Sequence, residues 1–226
     1  MNGKAIFWDF DGTLVQSNQS FADSLQKAFT GHHITVDRSA IADFLKSSCS
    51  WYDPAREYPD CTGEGWWQTL LEKLDGFCQK QHVPPEFISD ILAAFRENVI
   101  YFPYCLYPDA KEILEYSLRK GYRNYLLSNN FPELRQVLKA YGLQDLFSGI
   151  FLSAELGYEK PNRKLFDLAL NLAGNPDHAF MVGDNPIADI EGGAAAGLTS
   201  ILVHREGICP AADYQVSQLQ ELKPIL

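Results

Sequence analysis

The chain has no apolar run near the roughly 18 residues that a membrane-spanning helix requires, which excludes helical transmembrane proteins. It is also short of positive charge. Lys and Arg number 19 against 29 Asp and Glu, giving a formal net charge of −10. This balance argues against binding a nucleic-acid backbone. An anionic substrate would need local cations, because the overall field repels it. The five cysteines, Cys49, Cys61, Cys78, Cys105 and Cys209, are odd in number and show no CxxC spacing. Scattered reduced thiols in a cytosolic protein fit that pattern, and metal ligation by them does not. No Walker-type loop occurs, and Gly63-Glu64-Gly65 does not complete a dinucleotide fingerprint. The first apolar run starts at Lys4, which leaves no room for a signal or transit peptide and makes a cytoplasmic location the expectation.

What is present is a globular composition: 226 residues, 46% hydrophobic and 13% aromatic, enough for one sizeable core and a subsidiary domain. Lys4-Ala5-Ile6-Phe7 reads as the buried first strand of a parallel sheet. It leads into Trp8-Asp9-Phe10-Asp11-Gly12-Thr13-Leu14. Carboxylates at Asp9 and Asp11, one residue apart at a strand's C-terminal end, face the crevice where open α/β sheets bind ligands. They repel each other unless something cationic joins them. A nucleophile or metal site is one reading, and a polar strand end before an Asp-Gly turn is the other.

From about residue 16 to 102 the pattern is helical with no strand. Phe21, Leu25, Ala28 and Phe29 share one face of a helix stopped by Gly31. A second helix follows Ser39 as N-cap and carries Ile41, Phe44 and Leu45. Trp66, Leu70, Leu74 and Phe77 mark a third, and Phe87 to Val99 after Pro84-Pro85 a fourth. Residues 51–65 read as a long loop, which in compact domains is often functional.

From residue 103 onward helix and strand alternate, with strands over 124–127, 150–153, 179–182 and 200–203 and a terminal helix after Ser217. The expectation is an α/β fold: a doubly wound parallel sheet formed by residues 1–15 and 103–226, with an α-helical bundle over 16–102 inserted after the first strand.

The polar clusters then fall together. Asp9/Asp11, Ser128/Asn129 and Asp184 all follow apolar strands at one sheet edge, and Lys160 precedes a helix of the same layer. Carboxylates, a hydroxyl and a lysine around one crevice suit phosphoryl transfer. The carboxylates can hold Mg²⁺, which takes oxygen ligands and offsets repulsion between a carboxylate and a phosphate dianion. Ser128 and the lysine would meet the phosphoryl oxygens.

These residues carry a resemblance to the haloacid dehalogenase-like hydrolases. Asp9-Phe10-Asp11-Gly12-Thr13-Leu14 is similar to the family's first motif, and Leu126-Leu127-Ser128-Asn129-Asn130 to the second. Gly157-Tyr158-Glu159-Lys160-Pro161 is similar to the third, and Val182-Gly183-Asp184-Asn185-Pro186-Ile187-Ala188-Asp189-Ile190 to the acidic fourth. The helical insert resembles the cap of the family's first subfamily. The resemblance implies that Asp9 attacks phosphorus to form an aspartyl phosphate, and that Asp11 protonates the leaving oxygen and then takes a proton from water. It further implies that Thr13 orients that pair, that Ser128 and Asn129 hold the phosphoryl group, and that Lys160 neutralises charge. Mg²⁺ would rest on Asp9, Asp184 and the Asp11 carbonyl. Asp189 is read either as an outer residue orienting metal waters or Lys160, or as a helix N-terminal acid.

Within the family, an acid at Asp11 favours phosphate esters over halides, since a halide leaves without a proton. The five-residue step from Asp184 to Asp189 resembles the nucleoside monophosphatase and acylneuraminate-9-phosphatase branch. The expected activity is therefore a Mg²⁺-dependent phosphatase acting on a small phosphorylated metabolite, such as a nucleoside monophosphate or sugar phosphate. The alternatives are a phosphosugar mutase on the same core and a non-catalytic phospho-acceptor. Trp51, Trp66 and Trp67 read as bundle core, with contact to a base or sugar as the other reading. Arg56 reads as a solvated charge, with a substrate clamp as the alternative, and Lys46 is a candidate contact to a base, sugar or second anion.

Overall fold

The first strand explains its own burial. In the computed structural model, which describes residues 3–226, β1 spans Lys4–Trp8 and lies mid-sheet. Side chains alternate across a strand, so Ala5 and Phe7 enter one hydrophobic layer, while Ile6 and Trp8 enter the other. A strand covered on both faces has no use for polar alternation.

The other strands are β2 (Tyr122–Ser128), β3 (Gly149–Leu152), β4 (His178–Gly183), β5 (Thr199–Val203) and β6 (Tyr214–Val216). All pair in parallel in the order β3-β2-β1-β4-β5-β6. The order reverses between β1 and β4, and ligands of open α/β sheets bind at such a switch point. The expected strands all form. β6 was not expected, because it is only three residues long and buries only Val216.

Between β1 and β2 lie α1 (Ser20–Gly31), α2 (Arg38–Ser48), α3 (Glu64–Lys80) and α4 (Pro85–Ile100). Their inward faces, including Leu25, Phe29, Ile41, Trp67, Leu74 and Phe95, join the same hydrophobic cluster as Ile6 and Trp8. Residues after β2 supply α5 (Ala110–Arg119), α6 (Leu134–Ala140), α7 (Ser153–Leu156), α8 (Arg163–Leu172) and α9 (Gly192–Ala195). The face holding Phe7 is covered by Leu165, Phe166 and Ala169 of α8. Among the described residues no helix is long and apolar enough to cross a membrane.

At element ends the structure departs from the local signals. Gly31 closes α1 from inside the helix, and it is His33, at φ 58°, that takes the left-handed turn. Asp37, not Ser39, stands at the start of α2. The terminal helix is a single tight turn, Leu219–Leu222. The loop before α3 holds a short helical turn, Ser50–Tyr52, and it packs closely on α7 and the glycine after it. The Tyr58 N–H donates to the Gly157 carbonyl at 2.9 Å, and the Gly63 N–H donates to Ala154 at 2.8 Å. Gly157, at φ +82°, permits this approach, since a Cβ there would stand 2.4 Å from the Pro59 Cα.

Candidate active site

Register assembles the site. Trp8 pairs with Leu126 on one side and Val182 on the other, so Asp9 emerges between the ends of β2 and β4. Its N–H is fixed by the Val182 carbonyl at 2.9 Å. Asp9 Oδ1 accepts from Ser128 Oγ at 3.0 Å and from Lys160 Nζ at 2.7 Å. Lys160 also donates to Asp189 Oδ1 at 2.6 Å and to the Leu127 carbonyl at 2.9 Å, which occupies all the protons an ammonium has. Burial alone would drive the lysine's pKa down, but Asp189 and Asp9 outweigh burial and hold it above its ordinary value.

Asp11 faces only neutral partners. Asn18 Nδ2 donates to its Oδ1 at 2.9 Å, and Asn130 Nδ2 to its Oδ2 at 2.7 Å. Burial, then the charge of Asp9, pushes its pKa up to about 6. Burial and Asp9 likewise raise Asp184 to about 6, against the opposing pull of Arg205. Arg205 donates to Asp184 Oδ2 at 2.5 Å and to its backbone carbonyl at 2.8 Å. Gly12, at φ +77°, makes room for this arrangement, because a Cβ there would lie 2.3 Å from Asp184 Oδ2. Asp189 is fully buried, and burial raises its pKa despite Lys160. Its Oδ2 accepts the Asn185 N–H at 3.0 Å.

Asp9, Asp11, Ser128, Asn129, Lys160, Asp184 and Asp189 line one cavity of about 620 Å³. Thr13 stands apart: its hydroxyl is buried without a bonded partner, and its carbonyl lies 3.2 Å from His204 Nε2. The Asn129 side chain is committed to the backbone of Lys160. It donates to the lysine carbonyl at 3.0 Å and accepts its N–H at 2.7 Å. Of the tryptophans, Trp66 and Trp67 are core residues, whereas Trp51 is half-buried and lines the cavity. Arg56 lines a separate small pocket, and Lys46 is exposed.

Sequence reasoning missed Asn18, Asn130 and Arg205. Asn130 follows the Ser-Asn pair of a strand end, and Arg205 follows the apolar strand β5, so each had a positional signal. Asn18 had none, since its value depends on how the chain folds back over Asp11.

Glu159 was also missed as a structural centre. It is fully buried and accepts from the hydroxyls of Ser50 and Tyr58, which belong to the stretch between α2 and α3. Its Oε2 is buried without a bonded donor. Burial raises its pKa, outweighing those hydrogen bonds and Lys160. The folded chain therefore holds this proton more tightly than the unfolded one. The resulting stability is present below the ordinary value of 4.5 and is lost as pH rises through the raised value. Glu159→Gln keeps an acceptor for both hydroxyls but has no proton to lose. Unfolding midpoints measured across pH should decline less toward alkaline pH in the variant than in wild type. Parallel profiles would overturn this account.

Comparison with known proteins agrees with the geometry. The family model of haloacid dehalogenase-like hydrolases matches residues 4–197. Pyrimidine 5′-nucleotidase YjjG of Escherichia coli (strain K12) is 41% identical over 232 aligned residues, covering 98% of this chain and 96% of that protein. Phosphoserine phosphatase of Thermus thermophilus is 33% identical over 185 residues, covering 79% and 68%. The solved structure of the HAD-hydrolase YfnB from Bacillus subtilis, bound to magnesium, shares the fold with a TM-score of 0.74 at 19% identity, covering 99% of this chain and 98% of that one.

Proposed function

This chain belongs to the haloacid dehalogenase-like hydrolases, and we propose that it is a Mg²⁺-dependent phosphatase that hydrolyses a small phosphomonoester through an aspartyl phosphate. One observation carries the reading. Asp9 is bonded to a lysine and a serine hydroxyl, whereas Asp11, two residues on, is held only by the amides of Asn18 and Asn130. Neighbouring carboxylates placed in such different surroundings divide the work of nucleophile and proton donor.

The Asp9 carboxylate attacks phosphorus, the bond from phosphorus to the leaving oxygen breaks, and that oxygen takes the Asp11 proton. Water then attacks the aspartyl phosphate and gives a proton back to Asp11, releasing inorganic phosphate and the Asp9 carboxylate. Ser128 steadies Asp9, and Lys160 balances its charge. Asp189 acts as a positioning residue for Lys160, a reading supported by its burial and the 2.6 Å contact. Asn129 serves in the same way through the Lys160 backbone.

The donor set fits a hard divalent cation. Asp9, Asp184 and Asp189 each offer an oxygen within 4.8 Å of the others. Asp189 already serves Lys160 and the Asn185 N–H, so the ligands we assign are Asp9, Asp184 and the Asp11 carbonyl. When bound, Mg²⁺ neutralises the phosphate charge that would otherwise repel the attacking carboxylate. We also propose that residues 16–102 form a cap over a core made of 1–15 and 103–226.

The test is phosphate release from a panel of phosphomonoesters with Mg²⁺ and with chelator. Release that chelator abolishes is expected, and release untouched by chelator would overturn the metal assignment. Asp11→Asn should lose about a hundredfold or more on alkyl phosphates and much less on an aryl phosphate, whose leaving oxygen needs no proton. Equal losses on both would remove Asp11 from the acid role.

A further inference from the structure

The cavity above Asp9 has two unlike halves. Its lining holds the carboxylates, Ser128 and Lys160 as one set, and Phe21, Ala22, Ala42, Leu45, Trp51 and Tyr52 as the other. Lys160 is the only cation among its lining residues, and that lysine's protons are all engaged by Asp9, Asp189 and Leu127. A leaving group bearing a carboxylate or a second phosphate would meet no counter-charge there, in a chain of net charge −10. That separates the site from phosphoserine and from the bisphosphate that a mutase must hold.

What the second set offers is an aromatic surface held in place. Trp66 lies against the Trp51 ring with centroids 6.0 Å apart and planes at 28°, and Phe21 meets it edge-on at 4.8 Å. Trp66 is itself tied by its indole N–H to Ser50 Oγ at 3.1 Å. A propped, half-buried indole in a cavity wall is a stacking platform for a planar ring. Gln19 lines the same cavity. Its Oε1 accepts from Arg38 at 2.7 Å, and because arginine only donates, the amide oxygen must face it. The Gln19 NH₂ is thereby left as a donor, complementary to a ring carbonyl. A cavity of about 620 Å³ also falls within the range of roughly 300–1,000 Å³ usual for small-molecule sites.

We propose that the leaving group is a nucleoside whose base stacks on Trp51, with the Gln19 amide donating to a carbonyl of that base. The substrate class is then a nucleoside 5′-monophosphate with a carbonyl-bearing base, pyrimidines before adenine, which has no ring carbonyl. This rests on the phosphatase reading above, and it accords with the pyrimidine nucleotidase relative at 41% identity.

Steady-state kinetics on uridine, thymidine and adenosine 5′-monophosphates, with ribose 5-phosphate as the base-free control, test it. Wild type should favour the pyrimidine nucleotides over both adenosine monophosphate and ribose 5-phosphate. Trp51→Ala should lower kcat/KM on nucleotides roughly ten- to a hundredfold, mainly through KM, and leave ribose 5-phosphate within about threefold. Trp51→Phe should recover most of the loss, which a merely structural defect would not allow. Gln19→Ala should narrow the gap between pyrimidine nucleotides and adenosine monophosphate. Equal losses on all substrates in Trp51→Ala, or a wild type that ignores the base, would overturn the proposal while leaving the phosphatase standing. Absence of release from every phosphomonoester would instead remove the phosphatase reading itself.

Discussion

Asp9→Asn should give a folded protein whose turnover falls at least about a thousandfold, since a carboxamide oxygen is a poor nucleophile and the covalent step has no substitute. The fold should tolerate the change. An amide oxygen still accepts from Ser128 and Lys160, and Lys160 keeps Asp189 as its counter-ion at 2.6 Å. Removing the charge also relieves Asp11 and Asp184, both of which burial and then Asp9 hold above their ordinary values. Urea unfolding should therefore show a midpoint at or above that of wild type. Phosphate release from the same preparation gives the rate. A variant that turned over within tenfold of wild type would dismiss Asp9 as the nucleophile.

The second large effect is on stability. Lys160 is almost wholly buried between Asp9 and Asp189. Lys160→Met leaves those carboxylates facing each other without a cation, and breaking a buried ion pair from one side costs about 3–5 kcal/mol. That is a large share of the total stability of an ordinary domain. Turnover should vanish as well. The double variant Lys160→Met/Asp189→Asn removes one of the stranded charges and should recover much of the lost stability without recovering activity. Chemical unfolding of the single and double variants measures this directly. If the double variant were no more stable than the single one, the uncompensated charge would not be the cause, and lost packing of the lysine stem would have to be.

The polar sheet edge could be read from sequence because its geometry is local. Asp9, Ser128 and Asp184 each follow an apolar strand, and parallel strands deliver their ends to one edge whatever the helices do. The short strand Tyr214–Val216 was missed for the opposite reason. Three residues with one buried side chain carry no periodic signal. Asp189 shows a third case. From sequence, a helix-start acid and a lysine partner fit it equally, and its complete burial 2.6 Å from Lys160 is a contact that sequence could not show.

The sequence by itself therefore determined the fold class, the order of the strands' polar ends and the acids and lysine gathered there, because strand and helix periodicity act over a few residues. Tertiary structure alone decided which tryptophan lines the cavity. Trp51, Trp66 and Trp67 share one chemistry, and what distinguishes them is how the insert packs. Trp66 and Trp67 fill its interior, and Trp51 is stacked outward against Trp66 into the cavity. It also decided that Asn18, Asn130 and Arg205 surround Asp11 and Asp184. Asn130 is 119 residues from Asp11, and even Asn18, seven residues away, reaches it only because the chain folds back, so these contacts depend on where whole elements come to rest.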